Sequence, residues 1–287
     1  MIIILVFSLA SLTLYSSALF IKDLINKKNQ LETETQILPT SIIGFIAYFF
    51  DTLGIGSFAP LTSLLRAFKQ TKDRLIPGTL NVSAMIPVMI EAFVFITIIE
   101  VEITTLIFMV FSATIGSVYG ASIISKFSER SIQLVIGFAL ITTGSLMFLG
   151  QIEWIKSLGI GNEIGLSGTK LIIATTINFM LGACQAAGIG MYAPSMALVY
   201  FLGLSPKVAF PIMMASSAFA LPSASVKYIK KGTYNIKASI SIAVSGIFGV
   251  LIAAFIVKSL NLYYLTWLVI AIIVYTGLSL LYRRFRS

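Results

Sequence analysis

Two short stretches carry the residue types best suited to holding an anion: Gly54-Ile55-Gly56-Ser57-Phe58-Ala59-Pro60 and Gly188-Ile189-Gly190-Met191-Tyr192-Ala193-Pro194. Glycine permits unwound backbone and close approach, and proline sits comfortably in the first turn of a following helix. Each stretch therefore predicts a helix start whose free N–H groups and positive dipole end point into a gap, which is anion-binding chemistry. A kink or a tight helix contact would also use such glycines. The repetition of the whole pattern favours a site.

Polar side chains gather around the same breaks. Thr52, Ser57, Gln185 and Tyr192 lie beside the glycines, and Asn81, Ser83, Ser216 and Ser217 follow the prolines Pro77 and Pro211. All can donate hydrogen bonds to an oxyanion. Serines in membrane helices also bond their own backbone. With the backbone of Gly54, Ile55, Gly56, Gly188, Gly190 and Met191, these side chains form the expected substrate-binding set.

Two carboxylates fall inside apolar segments, Asp51 directly before the first glycine break and Glu91 further on. A charge there costs at least a few kcal/mol, so each must be protonated, paired or facing water. The chain has no histidine, so proton chemistry must use carboxylates. Asp51 is the expected coupling residue and Glu91 the second choice; capping of a half-helix is the other role open to Asp51. Cys184 has no adjacent base and reads as a small buried residue. No metal ligands cluster, no cofactor motif occurs and no nucleophile has a visible base, so an enzyme is not expected.

These residues need a scaffold, and composition says where it lies. Apolar residues make up 57% of the 287 and charged residues only 11%, well below a soluble globule. Apolar runs able to cross a bilayer recur at 1–21, 76–99, 103–124, 132–150, 210–226, 238–257 and 262–281. Lipid demands internally satisfied backbone, and these runs are too long and continuous for barrel strands, so helices are predicted. The formal net charge of +9 falls between apolar runs, which fits membrane orientation rather than nucleic acid. The first run lacks a basic start and a small-residue cleavage site, and reads as a retained anchor.

Laying the sequence on itself at a shift of 134 superposes Gly54-Ile55-Gly56 on Gly188-Ile189-Gly190, Ala59-Pro60 on Ala193-Pro194, Pro77 on Pro211 and Ser83-Ala84 on Ser217-Ala218. With a one-residue slip, Gly116 and Gly120 meet Gly249 and Ala253, a small-residue spacing that suits helix packing. The expected fold is all-α and membrane-integral, with two inverted repeats and one extra N-terminal helix. Each repeat holds a broken re-entrant segment plus three transmembrane helices. The expected divisions are an extra helix at 1–21, a cytoplasmic linker at 22–41, a first repeat at 42–150, an external linker at 151–170 and a second repeat at 171–287.

Loop charge sets the orientation. If the broken segments 42–65 and 171–202 return to the side they entered, the inside collects Lys22, Lys27, Lys28, the 66–74 cluster, Lys126, Arg130, Lys227, Lys230, Lys231, Lys237 and the C-terminal arginines. Outside remain Lys156, Lys170, Lys207 and Lys258. Full crossing by both segments gives a much weaker bias. The expectation is seven full crossings in the inner (plasma) membrane, N-terminus outside and C-terminus cytoplasmic. Tyr263, Tyr264 and Trp267 read as interfacial anchors.

Inverted repeats with interrupted helices at the midplane are a recurring plan of secondary transporters. At the glycine motifs the chain resembles the sulfite exporter family, the TauE/SafE-like permeases, over 42 to about 281. Lys230-Lys231-Gly232 looks like that family's basic loop, while Gly54-Ile55-Gly56-Ser57 and Gly188-Ile189-Gly190-Met191 stand where three consecutive glycines are usual. The resemblance implies transport of a small anion, a sulfur oxyanion or organosulfonate. The partners are then that anion, the lipid bilayer and protons as coupling ion, with no nucleic acid and the oligomeric state open. A channel using the same breaks as a filter and a non-transporting scaffold are the competing functions.

Overall fold

The computed structural model describes residues 2–120, 129–152, 161–259 and 261–286. Lys126 and Lys156 lie outside the described residues, as do the side chains of Arg130, Lys258 and the C-terminal arginines. Apart from a single backbone bridge between Glu163 and Leu204, the regular structure among the described residues is helical.

The chain opens with α1 (Ile2–Asn26), followed by α2 (Ile37–Thr52), α3 (Phe58–Ala67), α4 (Ile76–Ile98) and α5 (Ile103–Ile115). A π-helical turn at Gly116–Gly120 continues α5. Next come α6 (Glu129–Gln151), α7 (Gly168–Ala186), α8 (Tyr192–Phe201), α9 (Ala209–Lys231), α10 (Ile236–Ser259) and α11 (Leu262–Arg286). Among the described residues, six helical stretches, Ile3–Asn26, Asp73–Ile98, Leu134–Gln151, Pro206–Lys231, Ile236–Val257 and Tyr263–Tyr282, are long and apolar enough to cross a bilayer. The chain is an all-α, multi-span membrane protein. The crossing expected at 103–124 is helical through Gly120, and its last residues, 121–124, lie outside the described set.

Side-chain type decides which helices face lipid. Ile3, Phe7 and Leu14 of α1 and Phe248 and Phe255 of α10 are large, apolar and exposed, as a hydrocarbon solvent allows. By contrast, α9 is buried along most of its length and rich in Ala and Ser. Small side chains let it sit at the centre, against α4, α5, α8 and α1. Pro87 and Pro222 lie inside α4 and α9, where each removes a helical hydrogen bond and frees a carbonyl one turn earlier. The lysine pair ending α9 is followed by Gly232 at φ 62°, a left-handed cap that only glycine adopts without strain.

The two glycine breaks form the tips of two helical hairpins. In the first, α2 and α3 are tied at their open ends: Thr35 Oγ1 donates to the Gln70 carbonyl (2.8 Å), and the Gln36 N–H donates to Gln70 Oε1 (2.7 Å). In the second, α7 and α8 are tied by Lys170 Nζ to the Leu202 carbonyl (2.9 Å) and by the Ser205 N–H to the Glu163 carbonyl (2.9 Å). The first base touches the start of α10, where Asn235 Nδ2 donates to Thr35 Oγ1 (2.8 Å) and Glu32 accepts from the Ile236 N–H (2.8 Å). The second base touches the start of α5, where the Leu166 N–H donates to Thr105 Oγ1 (2.7 Å). Helix α4 separates the two bases, and its 23 residues span roughly 35 Å.

Packing pairs follow the sequence repeat. The first hairpin's α2 packs on α10, and the second hairpin's α7 packs on the equivalent α5. At the two contacts, a Cβ on Gly116 would lie 1.9 Å from the Phe179 carbonyl and one on Gly249 would lie 2.4 Å from the Phe45 carbonyl. Gly116 and Gly249, two of the positions expected to form packing faces, are therefore in backbone contact with a neighbouring helix. In the first turns of α11, Tyr263 and Tyr264 are exposed and Trp267 meets Phe148 edge-on.

Candidate functional site

Both tips are unwound by glycine. Gly54 and Gly56 adopt φ of 102° and 86°, and Gly188 adopts 92°, values that a side chain disfavours. The chain then re-enters helix at Phe58 and Tyr192, with Pro60 and Pro194 in the first turns. The tips face one another across a cavity of about 10 Å³, lined by Asp51, Gly56, Ser57, Phe58, Val88, Gln185, Gly190, Met191, Tyr192, Ser217 and Leu221. That volume holds about one water, so the tips are nearly closed on each other.

Of the sixteen positions singled out in the sequence, Asp51, Gly56, Ser57, Gln185, Gly190, Met191, Tyr192 and Ser217 come together here. The equivalent residues Asp51 and Gln185 thus line one space, although 134 positions apart. Asp51 Oδ1 accepts the Ser57 N–H at 2.5 Å, so one of the free donors expected at the α3 start is satisfied from within the tip. Gln185 does not cap its own half-helix and instead donates through Nε2 to Ser217 Oγ.

Glu91 lies behind the lining and joins the two tips. Its Oε1 accepts from Thr52 Oγ1 (2.8 Å) and its Oε2 from Tyr192 Oη (2.9 Å). Glu91 and Thr52 are fully buried. Tyr48, which the sequence reading did not single out, is fully buried in the same group, and its hydroxyl has no hydrogen-bond partner. No ion pair to Asp51 or Glu91 occurs among the described residues.

The remaining positions face elsewhere. Asn81 Nδ2 donates to the Pro77 carbonyl (2.8 Å) and Ser83 Oγ to the Leu80 carbonyl (3.2 Å), both within α4. Ser216 Oγ accepts from Asn178 Nδ2 (3.0 Å) of α7. A Cβ on Gly54 would strike Met196 Cε at 2.1 Å, and one on Gly188 would come no closer than 3.8 Å to Pro77. Ile55 packs against the hydrophobic core. Cys184 is buried beside Ala183 and Ile189. Phe58, Val88 and Leu221 line the cavity without having been expected; their proximity to a glycine break or to Pro87 and Pro222 was the available signal.

The second hairpin and everything after it, residues 171–287, match the profile of the sulfite exporter TauE/SafE proteins. This part of the chain belongs to that family. The TauE/SafE segment contains Gln185, Gly190, Met191, Tyr192, Ser217 and Leu221, one wall of the cavity. No curated protein and no solved structure matches the chain. The resemblance read from the motifs is thus confirmed for residues 171–287.

Proposed function

We propose that the chain is a secondary transporter for a small anion, a sulfur oxyanion or organosulfonate, whose site lies between the two glycine-broken tips. General membrane transport is what the TauE/SafE membership and the spanning helices support. The observation that carries the site is the convergence of two helix starts, α3 and α8, on one cavity with Ser57, Gln185, Tyr192 and Ser217 on its walls. Opposed orientation of the two halves is supported by the hairpin bases at opposite ends of α4 and by the exchanged packing of α2 on α10 and α7 on α5. In this reading both hairpins are re-entrant, and the lysine-rich ends of α3 and α9 face the cytoplasm.

A cavity of about 10 Å³ is too small for a four-atom oxyanion, so loading requires the tips to part, with α4 and α9 as the fixed walls. Asp51 is the proposed carrier of the coupling proton, since it alone of the lining residues is a carboxylate. The test is a binding screen of sulfite, short sulfonates and small carboxylates against purified protein, followed by flux into proteoliposomes with and without a pH gradient. Saturable binding with gradient-driven flux is the expected result. Conductance at channel rates, or no binding across the panel, overturns it.

A further inference from the structure

The cavity walls hold two buried oxygen acceptors that nothing satisfies. Asp51 Oδ2 and Gln185 Oε1 have no hydrogen-bond partner, and their residues are only 2% and 4% exposed. They occupy equivalent positions of the two halves and line the same space. Buried acceptors without donors are costly, so this space calls for a donor or a cation. Glu91 makes no such demand, because each of its oxygens already accepts a hydroxyl.

Charge around Asp51 is one-sided. The titratable groups that interact with it are Tyr48 on its own helix, Glu91 on α4 and Tyr192 on α8. Among the described residues, no lysine or arginine pairs with it. Its Oδ1 offsets the positive end of α3, while Gln185 leaves the start of α8 without a carboxylate of its own. An anion entering beside a charged Asp51 meets a net negative surface, because an open helix start supplies only about half a positive charge. One neutralising cation on Asp51 reverses that balance for a single negative charge. A second negative charge would stay uncompensated in low dielectric.

We infer that the site takes a singly charged anion only together with one monovalent cation held by Asp51, so that transport is electroneutral and doubly charged oxyanions are excluded. This rests on the anion-transport reading above and adds charge class and stoichiometry. The cation is a proton or a sodium ion, both of which suit a carboxylate oxygen and an amide oxygen lining one space.

Methanesulfonate and sulfate, alike in shape and different by one charge, make the comparison in proteoliposomes containing the full chain. Flux is read under an imposed pH gradient, an imposed sodium gradient and a potassium-clamped membrane potential. Methanesulfonate flux is expected to exceed sulfate flux about tenfold or more, to follow one of the two cation gradients, which identifies the cation, and to ignore the potential. Asp51→Asn, whose amide oxygen can still accept the Ser57 N–H, should respond to the potential and no longer to the cation gradient. An unfolding midpoint near wild type, expected because asparagine keeps the acceptor for the Ser57 N–H, guards Asp51→Asn against a general folding defect. Equal or greater sulfate flux, or wild-type flux driven by potential alone, overturns the inference while leaving anion transport standing. If neither these anions nor sulfite or carboxylates bind or move, the anion reading falls and the inference with it.

Discussion

The Tyr192 hydroxyl donates to Glu91 Oε2 at 2.9 Å, linking the tip of the second hairpin to a helix of the first half across 101 positions of sequence. Thr52, at the tip of the first hairpin, donates to the other oxygen of the same carboxylate. Glu91 is therefore a bracket that holds both tips against one wall.

Removing one arm of that bracket should loosen the closed arrangement without emptying its volume. Tyr192→Phe leaves the Glu91 carboxylate with one donor instead of two and is expected to cost about 1–3 kcal/mol. A double-mutant cycle with Glu91→Gln, read by thermal unfolding in detergent, should give a coupling energy of comparable size. Additive effects would show that the contact contributes nothing.

Asp51→Ala should behave differently from Asp51→Asn. Alanine strips the acceptor from the Ser57 N–H and is expected to destabilise the tip by about 1–2 kcal/mol, as loss of a helix cap does. Asparagine keeps the acceptor, so its unfolding midpoint should stay near wild type.

The tip glycines rank by their surroundings. Gly54→Ala combines a left-handed φ with a methyl driven into Met196 Cε at 2.1 Å, whereas Gly188→Ala carries the φ strain alone. Both should lower stability by about 1 kcal/mol or more. Gly54→Ala should be the worse of the two unless Met196→Ala is added, which relieves only that variant.

At the base of the first hairpin, Tyr234 donates to Asp23 Oδ2 at 2.6 Å. Burial first, and then the Asp23 carboxylate, hold its hydroxyl above the ordinary value of 10.0. The folded state thus keeps a proton that the unfolded chain releases near pH 10. Stability from this group should be complete below pH 10 and should decline above it, and Tyr234→Phe should make the alkaline decline shallower than in the wild type in an unfolding series across pH 8–11.

Topology is open to direct labelling. Cysteines introduced at the exposed positions Lys72 and Asn162, beside the two hairpin bases, in a Cys184→Ala background, should react with a membrane-impermeant reagent from opposite faces of the membrane. Reaction from one face would remove the opposed-halves reading.

How much of this was legible in the sequence differs residue by residue. The tips were legible because glycine conformation and proline position are local properties, and the repeat at a shift of 134 announced that Asp51 and Gln185 are counterparts. Asn81 and Ser83 misled, since the same hydroxyl and amide can turn inward or bond the helix they belong to, and here they bond α4. Tyr48 and Asn178 were silent because nothing in their neighbourhoods distinguishes a polar side chain packed against α10 or α5 from one in an ordinary apolar helix.

Sequence by itself determined that this chain is a helical membrane protein, that its motifs occur twice, and that its second half carries the features of the TauE/SafE family. Those properties depend on apolar length, periodic composition and residue order. Only the tertiary structure decided that Asp51 spends one oxygen on Ser57, that its other oxygen and Gln185 Oε1 are left without donors beside one cavity, and that Glu91 accepts from both Thr52 and Tyr192. Each of those facts depends on where side chains from distant segments end up pointing, and hydrogen-bond direction in a packed interior is set by neighbours that the linear order does not name.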